Sequence, residues 1–411
     1  MRLLLLIPTS SYRTEAFVEA ARRLGVDLTV ASELDSTLAT AGDPGLLTLE
    51  FGDLAAAVEA AVRFAATHPL HGVVGVDDGT VVVAARIADA LGLPHHSPDA
   101  AAAAGSKYRQ RAILGQAGVP VPDFRRISID DDPVAVAGSL AFPVVLKPLH
   151  LSASRGVMRA DSAEEFTRAH ARLLAILREP DVRTTDDAKH FLVESFVAGP
   201  EYALEGLVVA GRLHQLALFD KPDPLDGPFF EETIYTTPSR ASADVQQALL
   251  ECAARAVAAL GLTHGPVHVE LRHNEAGPWV VELAARSIGG RCARALRFGP
   301  SGDVSLEDIV IGAALSRIDV PPQRESAASG VMMVPIPQPG WLSRVEGVER
   351  ALAVPRVRSV EITVHPGQSL RTLPEESRYL GFITAAGESP DRVEAALRAA
   401  HQELRVVMGR D

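Results

Sequence analysis

Strand and helix periods alternate along the first hundred residues. Apolar runs predict buried strands at 2–7, 26–31 and 72–76, and amphipathic spacing predicts helices at 14–25, 53–67 and 80–91. Strands that alternate with helices form a parallel sheet covered on both faces. The pair Asp77-Asp78 follows the third strand, at the edge where such sheets bind ligands. Capping of the next helix is nevertheless the commoner role of such a residue.

From Ser106 onwards the pattern changes to short strands joined by loops and hairpins. A helix is predicted at 107–118 and an amphipathic helix at 241–260, and the tail from about Ser326 is mixed α/β, with a last helix starting near Pro390. The predicted strands of this part are 142–148, 157–159, 191–197, 201–209 and 212–218.

The strand 142–148 ends in Lys147 and is followed by a loop of small residues, 151–156, that contains Ser154 and Arg155. Short side chains let backbone N–H groups approach an anion, and a lysine supplies a positive charge beside it. A lysine at a strand end is more often simply solvated. This segment alone therefore does not identify a phosphate site.

Two alternating strands, 267–272 and 279–286, are joined by a turn-rich loop. Glu270 lies on the polar face of the first strand, and Glu282 and Arg286 share a face of the second. If these faces coincide, the two carboxylates approach to about 5 Å, where they repel unless a cation lies between them. Oxygen ligands beside an arginine suit a Mg²⁺ ion that also holds a phosphate.

Length, composition and net charge limit the classes of protein to which the chain can belong. A chain of 411 residues, 47% hydrophobic and 22% charged, predicts a globular protein of two to four subdomains. The net charge of −12 argues against nucleic acid as a partner. The first apolar run is too short for a signal peptide or a membrane span. Two cysteines, Cys252 and Cys292, imply no disulfide framework, so we expect a cytoplasmic protein.

Common site motifs are absent from the sequence. There is no G-x-x-x-x-G-K-[ST] loop, no G-x-G-x-x-G after a strand, no H-E-x-x-H and no C-x-x-C. The sequence shows no histidine in an arrangement that would make Cys292 a nucleophile, so we predict a buried, packed thiol. His95-His96 is interpreted as a polar step in a loop.

The order of the polar positions carries more information than any single motif. Lys107, Lys147 with its loop, the pair Glu194 and Glu201, and then the hairpin with Glu270, Glu282 and Arg286 follow one another along the chain. This succession resembles the ATP-grasp superfamily of carboxylate–amine and carboxylate–thiol ligases. Within it the chain is most similar to the L-amino acid ligase branch, with biotin carboxylase as a more distant relative.

The resemblance covers nearly the whole chain and implies an α/β fold, in an α+β ATP-grasp arrangement. It implies a Rossmann-like N-terminal domain with a parallel sheet (1–105), a small subdomain with a mobile lid (106–190), a large subdomain with the metal site (191–320) and a mixed C-terminal subdomain (321–411).

The resemblance also implies roles for individual residues. Lys107 and Lys147 would bind the ATP phosphates, and the loop 151–156 would be the lid, with Ser154 and Arg155 at the phosphates. Glu194 and Val197 would bind adenine and Glu201 the ribose. Glu270 and Glu282 would hold Mg²⁺, or Mn²⁺, and Arg286 would steady the transferred phosphoryl group. Candidates for substrate contact are Lys221, Glu231, Glu232 and Tyr235, in a loop-like stretch that can equally be solvated, and Ser287, Gly289, Gly290 and Arg291.

Two departures from the family pattern stand out. Many relatives carry an asparagine that binds the second metal where this chain has Ala284, which has no ligand atom. The lid has Ser152, Ala153 and Ser154 where glycines are usual, so it is expected to close less freely.

The predicted function is an ATP-dependent ligase that activates a small carboxylate, of an amino acid or another acid, as an acyl-phosphate and couples it to an amine. Its expected partners are these small molecules, with a homodimer as the expected assembly. Two alternatives stay open: a bicarbonate-activating enzyme of the biotin carboxylase type, and an ATP-binding module without catalysis.

Overall fold

The computed structural model describes residues 1–9, 11–34, 44–183 and 186–409. None of the helices in these ranges is both long and apolar enough to cross a membrane. The strands are β1 (Arg2–Leu6), β2 (Asp27–Ser32), β3 (Leu46–Thr48), β4 (Gly72–Gly75), β5 (Phe124–Ser128), β6 (Val144–Pro148), β7 (Met158–Ala160), β8 (His190–Ser195), β9 (Glu201–Val209), β10 (Arg212–Lys221), β11 (Ile234–Thr237), β12 (Gly265–Asn274), β13 (Gly277–Ala284), β14 (Ala328–Val334), β15 (Gly340–Glu346), β16 (Val357–Ile362), β17 (Ser369–Leu370), β18 (Gly381–Gly387) and β19 (Arg405–Met408).

The α-helices of the described ranges are α1 (Thr14–Arg23), α2 (Leu54–Thr67), α3 (Asp78–Ala90), α4 (Pro98–Ala104), α5 (Lys107–Gln116), α6 (Pro133–Ala137), α7 (Ala163–Leu177), α8 (Ala243–Ala259), α9 (Leu306–Ala314), α10 (Val348–Leu352) and α11 (Pro390–Glu403).

The N-terminal strands form a parallel sheet in the order β3-β2-β1-β4. The apolar run of β1 is buried on both faces, as a parallel sheet requires. Leu3 and Leu5 belong to a core with Phe17 of α1, whereas Leu4 and Leu6 belong to a second core with Ala57 and other residues of α2 and α3. The predicted parallel sheet with helices on both faces is therefore confirmed.

A small antiparallel sheet, β5-β8-β6-β7, carries the lysine that the sequence placed at a strand end. All five residues of β6 are buried, including Lys147. Helix α7 covers this sheet through Phe166 and Leu173. The boundary predicted at 190 lies at the first residue of β8, so the strand that was assigned to the next subdomain pairs inside this sheet instead.

The largest sheet has eight strands in the order β13-β12-β9-β10-β11-β14-β18-β16. Its first five strands and its last three lie on opposite sides of the boundary predicted at 320, yet β11 and β14 pair directly. The C-terminal segment (residues 321–409) is thus joined to strands β9 to β13 by one continuous sheet. Helix α8 packs on β12 and β13, α11 packs on β14 and β18, and a separate sheet, β17-β15-β19, lies beside them.

Two local predictions were wrong. Lys221 and Tyr235 are not loop residues, because Lys221 ends β10 and Tyr235 lies in β11, and both side chains are buried. Strand β13 ends at Ala284, so Arg286 lies two residues beyond it. Lys221 and Tyr235 are placed by pairing with neighbouring strands, which local alternation does not report, and Arg286 binds Asp78 of α3.

Candidate active site

The hairpin β12–β13 brings the two predicted carboxylates together. Glu270 and Glu282 are direct cross-strand partners, as the alternation predicted. A bulge follows, since the next pair is Leu271 with Val280, which leaves Val281 unpaired. The carbonyl oxygen of Val281 accepts a hydrogen bond from Arg111 of α5.

Lys107 joins this hairpin to the small-residue loop (residues 151–156). Its Nζ lies 3.1 Å from Oε1 of Glu282 and donates to the carbonyl oxygen of Leu151 at 2.8 Å. The lysine predicted to bind phosphate is therefore at the edge of the hairpin, paired with one of the two carboxylates.

Lys221 lies at the centre of a buried cluster of carboxylates. Its Nζ donates to Glu201, Glu232 and Glu270 at 2.7, 2.6 and 2.9 Å, and it lies 4.9 Å from the ring centroid of Tyr235. Although burial opposes it, the three carboxylates raise the pKa of Lys221 well above its usual value.

The carboxylates of this cluster respond differently to their surroundings. Burial raises the pKa of Glu232 to about 7 despite Lys221. Burial also opposes ionisation of Glu270, but Lys221 and His268 hold its pKa well below the usual range. His268 lies between two acids, 3.5 Å from Glu270 and 3.5 Å from the fully buried Glu205. Glu270 is therefore ionised, as a metal ligand must be.

The donor set suits a hard cation. Carboxylate oxygens of Glu201, Glu232 and Glu270 lie within 4.8 Å of one another, with the Lys221 ammonium bonded to all three. Glu282 faces Glu270 across the hairpin, so these two carboxylates are the pair left to face a metal ion. Oxygen-only donors of this kind fit Mg²⁺, which is typically held by one or two carboxylates together with substrate phosphates. Ala284 pairs with His268 in the ladder and contributes no ligand atom, as the sequence indicated.

Glu194 is held in a buried ion triad. Arg111 donates to Oε1 at 2.7 Å, and Nζ of Lys147 lies 2.8 Å from Oε2. Although burial opposes its ionisation, Arg111 and Lys147 lower the pKa of Glu194 to about 2. Both carboxylate oxygens thus have cationic partners, a contact that the predicted role at adenine did not include.

Arg272 organises the segment that was predicted to face the base and the ribose. It donates to the carbonyl oxygen of Val197 at 2.7 Å and to Oε2 of Glu201 at 2.8 Å. Its guanidinium lies 5.1 Å from the ring centroid of Phe196. Arg272 ends the predicted strand 267–272, and the sequence assigned it no role.

The small-residue loop is arched over the site. Ala153 and Ser154 have φ of 50° and 58°, in the left-handed region that favours glycine. Arg155 points away from this arch: it donates to the carbonyl oxygen of Glu375 at 2.9 Å and pairs with Glu179 and Asp181. The structure therefore does not bring Arg155 to the predicted phosphate position.

Arg286 is fixed by the N-terminal sheet. Its guanidinium forms two hydrogen bonds with Asp78 of α3, at 2.8 and 2.9 Å. Arg13 supports the same segment by donating to Oγ and to the carbonyl oxygen of Ser287, both at 3.0 Å. The sequence pointed to Asp78 only by its place after a strand. It gave no signal for Arg13, which precedes α1, or for Arg111 of α5, because arginines are usually exposed.

The segment after Arg286 turns into the same space. Arg291 has φ of 58° and pairs with Glu361 at 2.5 Å, and its guanidinium lies 5.2 Å from the ring of Tyr12 and 5.3 Å from that of Phe382. Glycine is favoured at position 290, because φ is 58° and a Cβ would lie 2.7 Å from the sulfur of Met333. Cys292 is buried and its pKa is raised by burial, in agreement with a packed thiol.

Two pockets meet at these residues. A narrow pocket, open to solvent, is lined by Lys107, Lys147, Glu194, Val197, Glu201 and other residues. A wide pocket, also open, is lined by Asp78, Arg286, Gly289, Gly290, Arg291 and residues of the C-terminal segment. They share the wall formed by Ser152, Ala153, Ser154, Glu232, Glu270 and Glu282. A reaction between molecules in the two pockets would take place at that wall.

Sequence models of three families match separate parts of the chain. The ATP-grasp N-terminal domain matches residues 18–95, the ATP-grasp domain matches residues 140–295, and L-amino acid ligase C-terminal domain 2 matches residues 332–409. The last match lies in the segment that contributes Tyr379 and Phe382 to the wide pocket.

Individual proteins resemble the chain over different lengths. The crystal structure of an L-amino acid ligase from Bacillus licheniformis covers 100% of this chain, with 99% of its own length aligned, 25% sequence identity and a TM-score of 0.83. The uncharacterized protein y4rH of Sinorhizobium fredii is 25% identical over 98% of this chain and 82% of its own length. The alanine–anticapsin ligase of Bacillus subtilis is 29% identical over 56% of this chain, and this chain spans 52% of that ligase.

Proposed function

The chain belongs to the ATP-grasp superfamily, in the branch of the L-amino acid ligases, and on that premise we propose that it joins a small carboxylate to an amine with ATP. The carboxylate would be that of an amino acid or a similar acid. ATP would convert it to an acyl-phosphate, the amine would displace phosphate, and ADP and phosphate would be released.

The observation that supports this proposal most directly is the shared wall of the two pockets. The narrow pocket offers two lysines, Lys107 and Lys147, and a buried polar end at Glu201, which suits a nucleotide. The wide pocket has room for two small substrates and is bordered by Arg286 and Arg291. Between them lie Glu270 and Glu282. A phosphoryl group can therefore pass from one pocket to the other without leaving the site.

On the nucleotide side, we assign Lys107 and Lys147 to the ATP phosphates and Ser154 to the lid above them. The base would lie against Val197, whose carbonyl Arg272 fixes, with Glu194 holding Lys147 in place. Glu201 would accept from the ribose hydroxyls.

Glu270 and Glu282 would hold Mg²⁺, or Mn²⁺, whereas Lys221 occupies the space among Glu201, Glu232 and Glu270. The metal supplies charge neutralisation at the oxygens of the transferred phosphoryl group. The protein would contribute the two carboxylates and exclude water with the small-residue loop.

On the substrate side, we assign Arg286 to the phosphoryl group and the developing acyl-phosphate, where a guanidinium can form two parallel hydrogen bonds. Arg291 is placed to bind a substrate carboxylate, with the backbone N–H groups of Ser287, Gly289 and Gly290 nearby. The reacting groups would be bordered, on the side of Glu270, by Lys221, Glu232 and Tyr235. Glu231 precedes Glu232 in the chain, and burial raises the pKa of its carboxyl; it stays a candidate for substrate contact.

A panel of amino acids and small acids, assayed for ADP release with Mg²⁺, tests the proposal. We expect ADP and a ligated product that depend on both an acid and an amine, and we expect Glu282→Ala to abolish ADP formation while the variant stays folded by circular dichroism. Undiminished ADP release by that variant would refute the metal assignment. AMP in place of ADP would reject the acyl-phosphate route.

The same panel separates the alternatives. ADP release that requires bicarbonate rather than an amine would favour a carboxylase of the biotin carboxylase type. Tight ATP binding without turnover across the panel would favour a binding module. The homodimer and the cytoplasmic location remain predictions, which light scattering and cell fractionation would check.

A further inference from the structure

The small-residue loop is bonded at its far end to the C-terminal segment. The backbone N–H of Gly156 donates to the carbonyl oxygen of Pro374 at 2.8 Å, and Nε of Arg155 donates to the carbonyl oxygen of Glu375 at 2.9 Å. These two bonds join residues more than two hundred positions apart. They attach the end of the loop to a segment outside the small sheet.

Ion pairs reinforce the same junction. Arg172 of α7 donates to Oε2 of Glu375 at 2.8 Å, and Arg371 donates to Glu179 at 2.7 Å. Arg155 pairs with Glu179 at 2.6 Å, and the side chains of both are largely shielded, at 17% and 23% exposure. Hydrogen bonding from the arginines lowers the pKa of Glu179 and of Glu375. Arg172–Glu375 and Arg371–Glu179 have two hydrogen bonds each, but their arginines are 42% and 44% exposed. The more shielded pair of Arg155 with Glu179 is therefore expected to contribute more to the junction than either exposed pair.

The near end of the loop is anchored separately. Lys107 binds the carbonyl oxygen of Leu151 and lies beside Glu282. The arch that carries Ala153 and Ser154, with left-handed backbone at both residues, is thus stretched between two anchors. An arch of this kind persists only where its ends are held.

We propose that Arg155, Arg172, Glu179, Arg371 and Glu375 form a latch that holds the small-residue loop in place as part of the wall between the two pockets. Arg155 is in this view a positioning residue rather than a phosphate ligand. Only the effect of the latch on catalysis rests on the proposed function. Its structural part, closure of the loop by the C-terminal segment, stands independently.

Charge exchange at one pair tests the latch. Glu375→Arg and Arg172→Glu each place like charges opposite one another, whereas the double variant R172E/E375R restores an opposite pair. We expect amide hydrogen exchange at 152–157 to rise roughly tenfold in each single variant and to return to within about twofold of the wild-type rate in the double variant. The control is Arg168→Glu, whose partner Glu164 forms an exposed pair on the same helix, and it should leave the exchange unchanged.

The amount of ADP formed per ligated product is a second measurement, which a purely structural role of the latch would leave unchanged. With the loop released, water reaches the activated intermediate, so ADP formed per ligated product should rise severalfold in the single variants and recover in the double variant. Arg155→Gln should share this phenotype.

Unchanged exchange in both single variants would overturn the latch. So would an Arg155→Gln variant that raises the KM for ATP while exchange at 152–157 stays as in the wild type, since that result identifies a phosphate ligand. Hydrogen exchange needs no turnover, so a chain without ligase activity would refute the proposed function and leave the latch to be decided by exchange alone.

Discussion

Adjacent carboxylates at the end of β4 have different partners. Asp77 caps α3, in a capping box with Thr80, while Asp78 forms two hydrogen bonds with Arg286. Although desolvation opposes it, Arg286 lowers the pKa of Asp78, so the pair is ionised on both sides. One residue therefore serves the helix and the next holds a guanidinium at the wide pocket.

Substitution of these two neighbours should separate the two roles. Asp78→Asn keeps the shape but removes the charge that orients Arg286, so we expect kcat for substrate-dependent ADP formation to fall about tenfold with little change in thermal midpoint. Asp77→Ala removes a helix cap and should cost about 1 kcal/mol of unfolding free energy with a smaller effect on kcat. Equal loss of kcat in both variants would show that Asp78 does not position Arg286.

The pH dependence of stability should report the triad of Glu194, Arg111 and Lys147. The folded-state pKa of Glu194 is about 2, against 4.5 for an unperturbed glutamate. A carboxyl with a lowered pKa stabilises the fold above the unfolded value, and this stabilisation is lost as pH falls from about 4.5 towards 2. It is worth on the order of 3 kcal/mol for a buried group.

We therefore expect Glu194→Gln to be strongly destabilised at pH 6 and to approach the wild type as pH falls to 3, measured by urea unfolding. The matched control is Glu388→Gln, because Glu388 also has a pKa of about 2 beside an arginine but is exposed. Its difference from the wild type should be small and should shrink further in salt. A difference for Glu194→Gln that stays constant from pH 6 to 3 would contradict the assignment.

At the level of elements, the hairpin β12–β13 was predictable because apolar and polar residues alternate along both strands and the residues between them are typical of turns. The pairing of Glu270 with Glu282 follows from that alternation. The bulge at Val281 does not, since it depends on Arg111 binding the Val281 carbonyl from another element. Lys221 was predicted in a loop for a similar reason. Its partners lie on β9, β11 and β12 and in the connection before β11, so no local pattern reports them. The proline that follows Lys221 in the chain also suggested a loop.

The small-residue loop was predictable in position but not in backbone conformation. A non-glycine residue in the left-handed region costs about 1–2 kcal/mol, and glycine costs the unfolded chain about 0.5–1 kcal/mol in entropy. Ala153→Gly should therefore leave stability unchanged or raise it by up to about 1 kcal/mol. Ala395→Gly, at an exposed position within α11, should lose about 1 kcal/mol. Equal losses in chemical denaturation would contradict the left-handed conformation of Ala153.

At the level of the whole molecule, the site is assembled from four parts of the fold. The N-terminal sheet supplies Asp78, the small sheet supplies Lys147, the eight-stranded sheet supplies Glu270, and the C-terminal segment supplies Tyr379. The order of such residues along the chain indicated the family, because order is kept in the sequence. Contacts between distant parts, such as Arg155 with Glu375, leave no local pattern and required the structure.

The C-terminal segment links the latch to the wide pocket, which leads to a prediction about the whole molecule. Glu375 lies in the latch, and two residues further on Ser377, Arg378 and Tyr379 line the wide pocket. A substrate that contacts these residues restrains the segment. It favours the closed loop by as much as its affinity for the closed state exceeds its affinity for the open state.

An amino acid substrate without ATP should therefore slow amide exchange at 152–157 in the wild type. The slowing should disappear in Glu375→Arg and return in R172E/E375R, whereas Arg168→Glu should behave as the wild type. Equal slowing in Glu375→Arg would mean that the substrate acts on the loop directly, through the shared wall at Ser152 and Ser154, and not through the C-terminal segment.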